Sequence, residues 1–300
     1  MTQAFILGAG LGTRLRPLTD RLPKPLIPLF HVPLAGRTIA ACRAAGIRRF
    51  AINTHHLPEA WEIFAKLPGS RETDLTFFHE PVLLETGGGL KNIEPWIADE
   101  PLLVHNGDIF STLPLEKLIA AHEESGLPVT LALRSSGGEK RVAFDEATHR
   151  VIDLRHALGR APGTHVFTGI YCVNPEFFAL LPAGEVVSVI PAFLELAACG
   201  KLGAVVLDEG VWLDLGDRNS YLRAHRELAL DRAVHPDAEV SAGAVVEASC
   251  VGPGAVVESG AVVRNSVVWP GARVSAGALL DGCIAYAGGT VAGEHRDEDL

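Results

Sequence analysis

Aliphatic residues near the end of the chain recur six positions apart: Val234, Val240 and Val246, then Val251, Val257 and Val263, then Val268, Val274 and Leu280. Each set repeats the one before it after 17 positions. Small residues fill the spaces, with Pro-x-Ala at 236, 253 and 270 and Ser-Ala-Gly-Ala at 241 and 275. A sandwich edge or an Ala/Gly linker would not keep three sets in one register. The coils of a three-sided β-helix require it, because each face presents one inward aliphatic per turn. One such coil cannot stand alone: about four buried aliphatics at ~2 kcal/mol each fall short of ~1.5 kcal/mol of ordering entropy for each residue of a coil. The coils must therefore stack and be capped. The pattern assigns residues 232–292 to this element and leaves 293–300 as an acidic tail.

Before the repeat, short aliphatic runs alternate with helical stretches, which predicts a mixed, mostly parallel sheet wrapped by helices over residues 1–231. The expected strands are Ala4 to Leu7, Arg49 to Asn53, Leu75 to Phe78, Leu102 to Asn106 and Val129 to Leu133. Helices are expected over Ile39 to Ala45, ending at Gly46, over Pro58 to Lys66, ending before Pro68-Gly69, and over Pro114 to Ser125, ending at Gly126, with two more from about Val189 to Cys199 and about Asn219 to Leu230. Arg141 to Leu154 and His165 to Val173 read as antiparallel additions. Ligands of such α/β sheets sit beyond the carboxyl ends of the strands.

Composition narrows the partners. The chain is 48% hydrophobic and 21% charged, a globular balance. Its 36 acidic residues outnumber 26 Lys and Arg, and a formal charge of -10 argues against nucleic acid or an anionic membrane as the main partner. Five scattered cysteines, none in a C-x-x-C spacing, suggest neither a disulfide framework nor zinc. No apolar run reaches the ~18 residues of a membrane helix, and the start MTQAFILG lacks the pattern of a signal peptide, so the cytoplasm is the expected location.

The segment GAGLGTRLRPLTDRLPKPLIPL, residues 8–29, follows the first aliphatic run. A strand, then glycines, then cations is the arrangement expected where backbone amides approach phosphate oxygens. Thr13 stands where a dinucleotide fingerprint would have its last glycine, and no G-K-[ST] of a P-loop occurs. Arg14 and Lys24 flank a stretch that Pro17, Pro23, Pro25 and Pro28 stiffen, so both cations could be aimed at one triphosphate. A solvated basic loop is the alternative on residue type alone.

This segment is similar to the signature of the sugar-1-phosphate nucleotidylyltransferases. The likeness continues through LETGGGL at 84–90, VHNGDIF at 104–110, FTGIYCV at 167–173 and VWLDLGD at 211–217, in the family's order. LETGGG and APGTHVFTGIY look most like the N-acetylmuramate 1-phosphate uridylyltransferases. The repeat resembles the hexapeptide-repeat left-handed β-helix found in mannose-1-phosphate guanylyltransferases. The resemblance implies a Rossmann-like nucleotidyltransferase domain followed by a short left-handed β-helix. It also implies attack by a sugar-phosphate oxygen on the α-phosphorus of an NTP, with Mg²⁺ as cofactor. Arg14, Lys24 and Asp108 would be catalytic. Gly8, Ala9, Gly10, Gly12, Thr13, Asn53, Glu80, Gly87 and Gly88 would bind the nucleotide. Glu85, Thr86, Thr168, Gly169 and Asn174 would face the sugar, and Asp108 with Asp214 would hold the metal. Glu80 could read either uracil's single imide donor or guanine's adjacent pair. Two carboxylates sharing a hard cation with phosphate oxygens suit Mg²⁺, although an Asp after a strand also serves as a turn or cap.

Several positions depart from that family. No Glu-Lys-Pro box precedes FTGIY, FHVPL at 30–34 replaces the usual Lys-Pro element, and Asp217 stands where Thr is common, which would add charge near the metal. His55 and His56 are expected to border the nucleotide cleft. UTP with N-acetylmuramate 1-phosphate is the first expectation for substrates. A mannose- or heptose-1-phosphate guanylyltransferase and a silent nucleotide-sugar-binding subunit are the alternatives. An acyltransferase reading of the β-helix finds no suitably placed histidine in about three coils. The aliphatic coils also lead us to expect a homo-oligomer.

Overall fold

All five aliphatic runs expected as strands enter one nine-stranded sheet. In chain order the strands of this region are β1 (Gln3–Leu7), β2 (Arg49–Thr54), β3 (Asp74–His79), β4 (Leu102–Asn106), β5 (Ile109–Ser111), β6 (Val129–Arg134), β7 (Val142–Asp145), β8 (Arg150–Leu154), β9 (Val166–Val173), β10 (Leu202–Val206) and β11 (Trp212–Asp214). The sheet runs β3-β2-β1-β4-β9-β6-β10-β8-β7, and only β8 and β9 oppose the common direction. The helices are α1 (Leu34–Ala44), α2 (Pro58–Ala65), α3 (Glu85–Asn92), α4 (Leu115–Ser125), α5 (Ile190–Ala198) and α6 (Arg218–Glu227).

The computed structural model describes residues 1–300 and divides them into two compact units. The first comprises residues 1–11, 23–25 and 35–214, and the second comprises 12–22, 26–34 and 215–300. The expected boundary at 231 is therefore displaced. Helix α6 and two pieces of the proline-rich opening segment group with the repeat.

In the first unit the core lies between the sheet and its helices. Phe193 of α5 packs edge-on against Tyr171 of β9 at 5.1 Å and beside Phe177 at 5.8 Å. Together with Phe5, Leu102, Val104 and Leu131 they form one continuous apolar cluster. Strand β10 escaped the sequence reading because Gly203 interrupts its aliphatic pattern. A methyl there would sit 2.6 Å from Leu127 Cδ1, so the glycine spares that side chain a shift. β1 pairs with β2 on one side and β4 on the other, both parallel. The chain thus reverses its lateral progress at β1, and a crevice opens at such a switch point.

In the second unit the 17-residue register holds through every ladder as far as Val291 and shortens to 15 residues where Glu294–Arg296 meets Leu279–Asp281. Val240, Val257, Val274 and Val291 are successive partners on one face, Val246, Val263 and Leu280 on the next, and Val251, Val268 and Ala285 on the third. Except for the exposed Val240 and the half-buried Val246 of the first coil, their side chains form the core of a left-handed β-helix with corner residues Ala255, Ala261, Ala272 and Ala278. Residues 293–300 are not a separate tail. Glu294–Arg296 pairs in parallel with Leu279–Asp281, and Leu300 exchanges backbone hydrogen bonds with Ile284 and Tyr286. The acidic composition hid a partial fourth coil, because its inward positions are few and its outward ones charged.

Candidate active site

Where β1 and β4 end side by side, the chain opens a cavity of about 310 Å³. Ala9, Gly10, Lys24, Asn53, Glu85, Thr86 and Asp108 line it, all of them named from the sequence. Leu7, Pro25, Leu83, Asn106, Gly107 and Ser188 complete the wall. Asn106 and Gly107 fall inside the VHNGDIF stretch and could have been chosen. Ser188 lies in a coil without a distinguishing signal.

Two glycines allow the strand ends to approach. The Gly107 amide donates to Leu7 O at 3.0 Å. A methyl on Gly107 would overlap that same oxygen and lie 2.8 Å from Pro25 Cγ. A methyl on Gly8 would meet the Trp61 ring at 2.9 Å. Gly10 differs, with nothing within 4 Å of the same position, so its backbone is open to a ligand.

Below the glycine turn lies a buried hydrogen-bond chain. The Gly8 amide donates to Asn53 Oδ1 at 2.7 Å, and Asn53 Nδ2 donates to Glu80 Oε1 at 2.7 Å. The other oxygen of Glu80 accepts from the Leu84 amide at 3.0 Å. Glu80 is 1% exposed with both oxygens engaged, so it braces the turn and does not face a base. His55 Nδ1 donates to Glu80 O at 2.7 Å, which adds to the brace.

The GGG stretch also lies differently from expectation. Residues 85–92 are helical, and Gly87 and Gly88 are buried with their amides donating to Val187 O at 2.8 and 3.0 Å. A methyl on Gly87 would sit 2.9 Å from the Ser188 backbone, and one on Gly88 would overlap Glu185 O. These glycines permit backbone-to-backbone packing, which outweighs their poor helix propensity. Glu85 itself adopts φ 61° and borders the cavity, and Thr86 Oγ1 accepts from the Val189 amide at 2.9 Å.

The sugar-side residues split. Gly169, at φ 76°, lies beneath Asn106, and a methyl there would be 2.6 Å from Asn106 Nδ2, so this glycine seats a cavity residue. Thr168 is fully buried, its hydroxyl donating to Ala132 O at 2.8 Å. Asn174 is at the wrong end of the sheet. β9 runs antiparallel to β4 with Val173 opposite Leu102, which carries Asn174 away from Asn106. There it contacts His122 and donates to Leu127 O at 2.9 Å.

Lys24 and Asp108 provide the charge. Lys24 Nζ lies 2.6 Å from Asp108 Oδ2, with side chains 9% and 31% exposed. Asp214 on β11 is the ladder partner of Ile109, which places it one residue from Asp108 across the β5–β11 pair. No group of three or more His, Cys, Asp and Glu side chains is gathered to cage a metal ion. Two carboxylates on neighbouring rungs fit a hard cation that completes its shell with water and phosphate oxygens, as Mg²⁺ does. Behind them His105 is held to a pKa of about 4 by burial, so its imidazole is neutral.

Gly12, Thr13 and Arg14 belong to the second unit. Gly12 takes φ 61°, and its carbonyl accepts from the Leu15 amide at 2.8 Å and the Thr19 hydroxyl at 3.0 Å. Thr13 and Arg14 start the exposed 3₁₀ turn that follows. Asp217 has a structural role in the second unit. It caps α6, accepting from the Ser220 amide at 2.9 Å in a capping box. His31 Nε2 donates to Arg232 O at 2.6 Å, and its ring meets that of His235 edge-on at 4.9 Å.

No helix is long and apolar enough to cross a membrane. Among curated proteins the chain is similar to the mannose-1-phosphate guanylyltransferase of Mycobacterium tuberculosis, 28% identical over 263 residues that cover 81% of this chain and 72% of that protein. It is also similar to mannose-1-phosphate guanylyltransferase 1 of Arabidopsis thaliana, 29% identical over 231 residues, or 75% of this chain and 64% of that one. The fold matches a crystal structure of UDP-glucose pyrophosphorylase complexed with UDP-glucose at a TM-score of 0.65 and 18% identity, covering 75% of this chain and 97% of the other. The profile of the nucleotidyl transferase family matches residues 3–230, and by that match the chain belongs to this family.

Proposed function

We propose that the chain transfers a nucleotidyl group from a nucleoside triphosphate to a sugar 1-phosphate, giving a nucleotide sugar and pyrophosphate. The observation that carries this reading is the Lys24–Asp108 pair, held at 2.6 Å in the cavity at the switch point of a nucleotidyl transferase sheet. An oxygen of the sugar phosphate forms a bond to the α-phosphorus, and the bond to the departing pyrophosphate breaks. Both reactants are anionic, so alignment and charge neutralisation dominate the barrier. Lys24 presents its ammonium to the phosphate oxygens from a stem that is nearly fully buried, which limits its reorganisation. Asn53 and Glu80 fix the Gly8 turn so that Ala9 and Gly10 keep their place in the wall. Arg14 is the second cation of this reading, for the outer phosphates. Asp108 and Asp214 would hold Mg²⁺, which when bound supplies Lewis-acid neutralisation of the phosphates.

The mannose-1-phosphate guanylyltransferase relatives support GTP with a hexose 1-phosphate as the substrate pair. The first expectation, UTP with N-acetylmuramate 1-phosphate, is its competitor. The test is pyrophosphate release with Mg²⁺, crossing GTP, UTP, dTTP, CTP and ATP against mannose, glucose, heptose, N-acetylglucosamine and N-acetylmuramate 1-phosphates. Turnover with mannose 1-phosphate and GTP is expected, falling by about 10³ or more in Lys24→Ala. Undiminished turnover in that variant would remove Lys24 from the mechanism. Silence across the grid with nucleotide-sugar binding intact would replace the enzyme by a binding subunit.

A further inference from the structure

Lys24 is bracketed in sequence by two attachments that end on one aromatic pair of the β-helix. Three residues before it, the guanidinium carbon of Arg21 lies 4.5 Å above the centroid of the Tyr286 ring. Four residues after it, Pro28 O accepts from the Tyr221 hydroxyl at 2.7 Å, and the Tyr221 oxygen in turn accepts from Trp269 Nε1 at 3.1 Å. Trp269 and Tyr286 meet edge-on at 5.9 Å. Arg21, Pro28, Tyr221, Trp269 and Tyr286 all lie in the second unit.

The environment makes these contacts firm. Trp269, Tyr221 and Tyr286 are 1%, 2% and 5% exposed. Hydrogen bonds sealed from water hold geometry better than surface contacts do, and the exposed Arg21 guanidinium covers a ring that is itself buried. A further bond comes from α6, where His225 Nε2 accepts from the Phe30 amide at 2.9 Å. The Tyr286 hydroxyl has no hydrogen-bond partner, so what this residue contributes is its ring.

We infer that Trp269 and Tyr286 are positioning residues, through which the β-helix holds residues 12–22 and 26–34, the two sequence flanks of Lys24, in the conformation the triphosphate-binding segment needs. The β-helix is then part of the nucleotide-handling apparatus, although neither residue is catalytic. Partial unwinding of its coils would loosen the phosphate-binding segment. For its kinetic arm this inference rests on the nucleotidyl-transfer reading. Its structural arm does not.

The test uses the full chain in five forms: wild type, Tyr286→Leu, Tyr286→Phe, Arg21→Gln and the double variant Tyr286→Leu/Arg21→Gln. Hydrogen exchange of residues 12–22 is read first. Tyr286→Leu and Arg21→Gln are expected to speed it about tenfold, while Tyr286→Phe leaves it at the wild-type rate because the ring remains. The double variant Tyr286→Leu/Arg21→Gln is expected to add little to either single change. In turnover, the same two single variants raise KM for the triphosphate about tenfold more than KM for the sugar phosphate, and Tyr286→Phe restores both. Equal exchange in wild type and the three single variants, or fully additive effects in the double variant, would overturn the inference. If Tyr286→Leu does not fold, Arg21→Gln, at an exposed position outside the β-helix, decides alone. A wild type without turnover sinks the proposed function and leaves the exchange result to judge the positioning role.

Discussion

The two units hold their residues in place by opposite strategies. In the sheet unit each critical contact occurs once: Asn53 braces Gly8, Gly107 admits Leu7 O, Gly169 seats Asn106. In the β-helix the same contact is made again every coil, as when Ser249 Oγ accepts from the Ser266 amide and Ser266 Oγ from the Cys283 amide, 17 residues on. Unique contacts build a site of fixed geometry. Repeated ones build a stack whose stability is close to a sum over neighbouring coils.

Breaking a unique contact should give the largest effect. Gly107→Ala forces a methyl into Leu7 O and toward Pro25 Cγ, and neither the β1 end nor the proline ring can swing aside. We expect a loss above about 3 kcal/mol in urea melts and about 10²-fold in turnover. Wild-type behaviour in both would show that the strand ends are not tightly joined. Breaking a repeated contact should cost less and cost the same at each recurrence. Val257→Ala and Val274→Ala, both fully buried on one face, are each expected to lose about 2.5 kcal/mol, within about 0.5 of each other. A large inequality between them would mean that the coils are not equivalent.

This contrast also explains what was legible in the sequence. Periodicity writes itself into the chain, so the 17-residue register of the β-helix could be read residue by residue. The cavity was half legible, because strand ends and the flanking glycines, lysine and aspartates sit in local motifs. The roles of Glu80, Gly87 and Gly88 were not, since each is decided by a segment distant in sequence: Asn53 for one, residues 185–188 for the others. Asn174 failed for a topological reason. It follows a promising motif, but an antiparallel strand delivers it to the far end of the sheet. The fourth coil was missed for lack of inward aliphatics, and the placement of α6 for lack of any local mark of its partners.

Acid should separate the units more gently. Burial lowers the pKa of His105 to about 4 and also lowers that of His122, both in the sheet unit. The unfolded chain protonates both below about pH 6.5, so the stability they contribute is present above 6.5 and lost as pH falls, for His105 toward 4. In the β-helix, the hydrogen bond from His295 to Glu298 raises the histidine pKa, and that contribution is full below 6.5 and lost as pH rises. Between pH 6.5 and about 4.5 the sheet unit therefore loses its histidine contribution while the β-helix keeps that of His295 in full. For His105 alone, roughly 2 kcal/mol should be gone at pH 5. Hydrogen exchange, corrected for intrinsic rates, should show residues 102–106 losing about thirtyfold protection from pH 7 to 5 while residues 256–263 hold theirs. His105→Gln should flatten the first slope.

The smallest effect isolates what a glycine is for in each unit. Gly254, in a corner of the β-helix, has φ 66° and nothing within 4 Å of a methyl position. Its requirement is conformational, so Gly254→Ala should lose only about 1 kcal/mol, and Gly254→Asn less, because asparagine enters the left-handed region more readily. Gly107 is absent from the positive-φ residues, and its requirement is space. There the order must reverse: Gly107→Asn, being larger, should be worse than Gly107→Ala. Thermal melts of the four variants test this directly. If asparagine ranked below alanine at both positions, the corner of the coil would be as crowded as the joint between β1 and β4, and repetition would have no bearing on how the two units tolerate change.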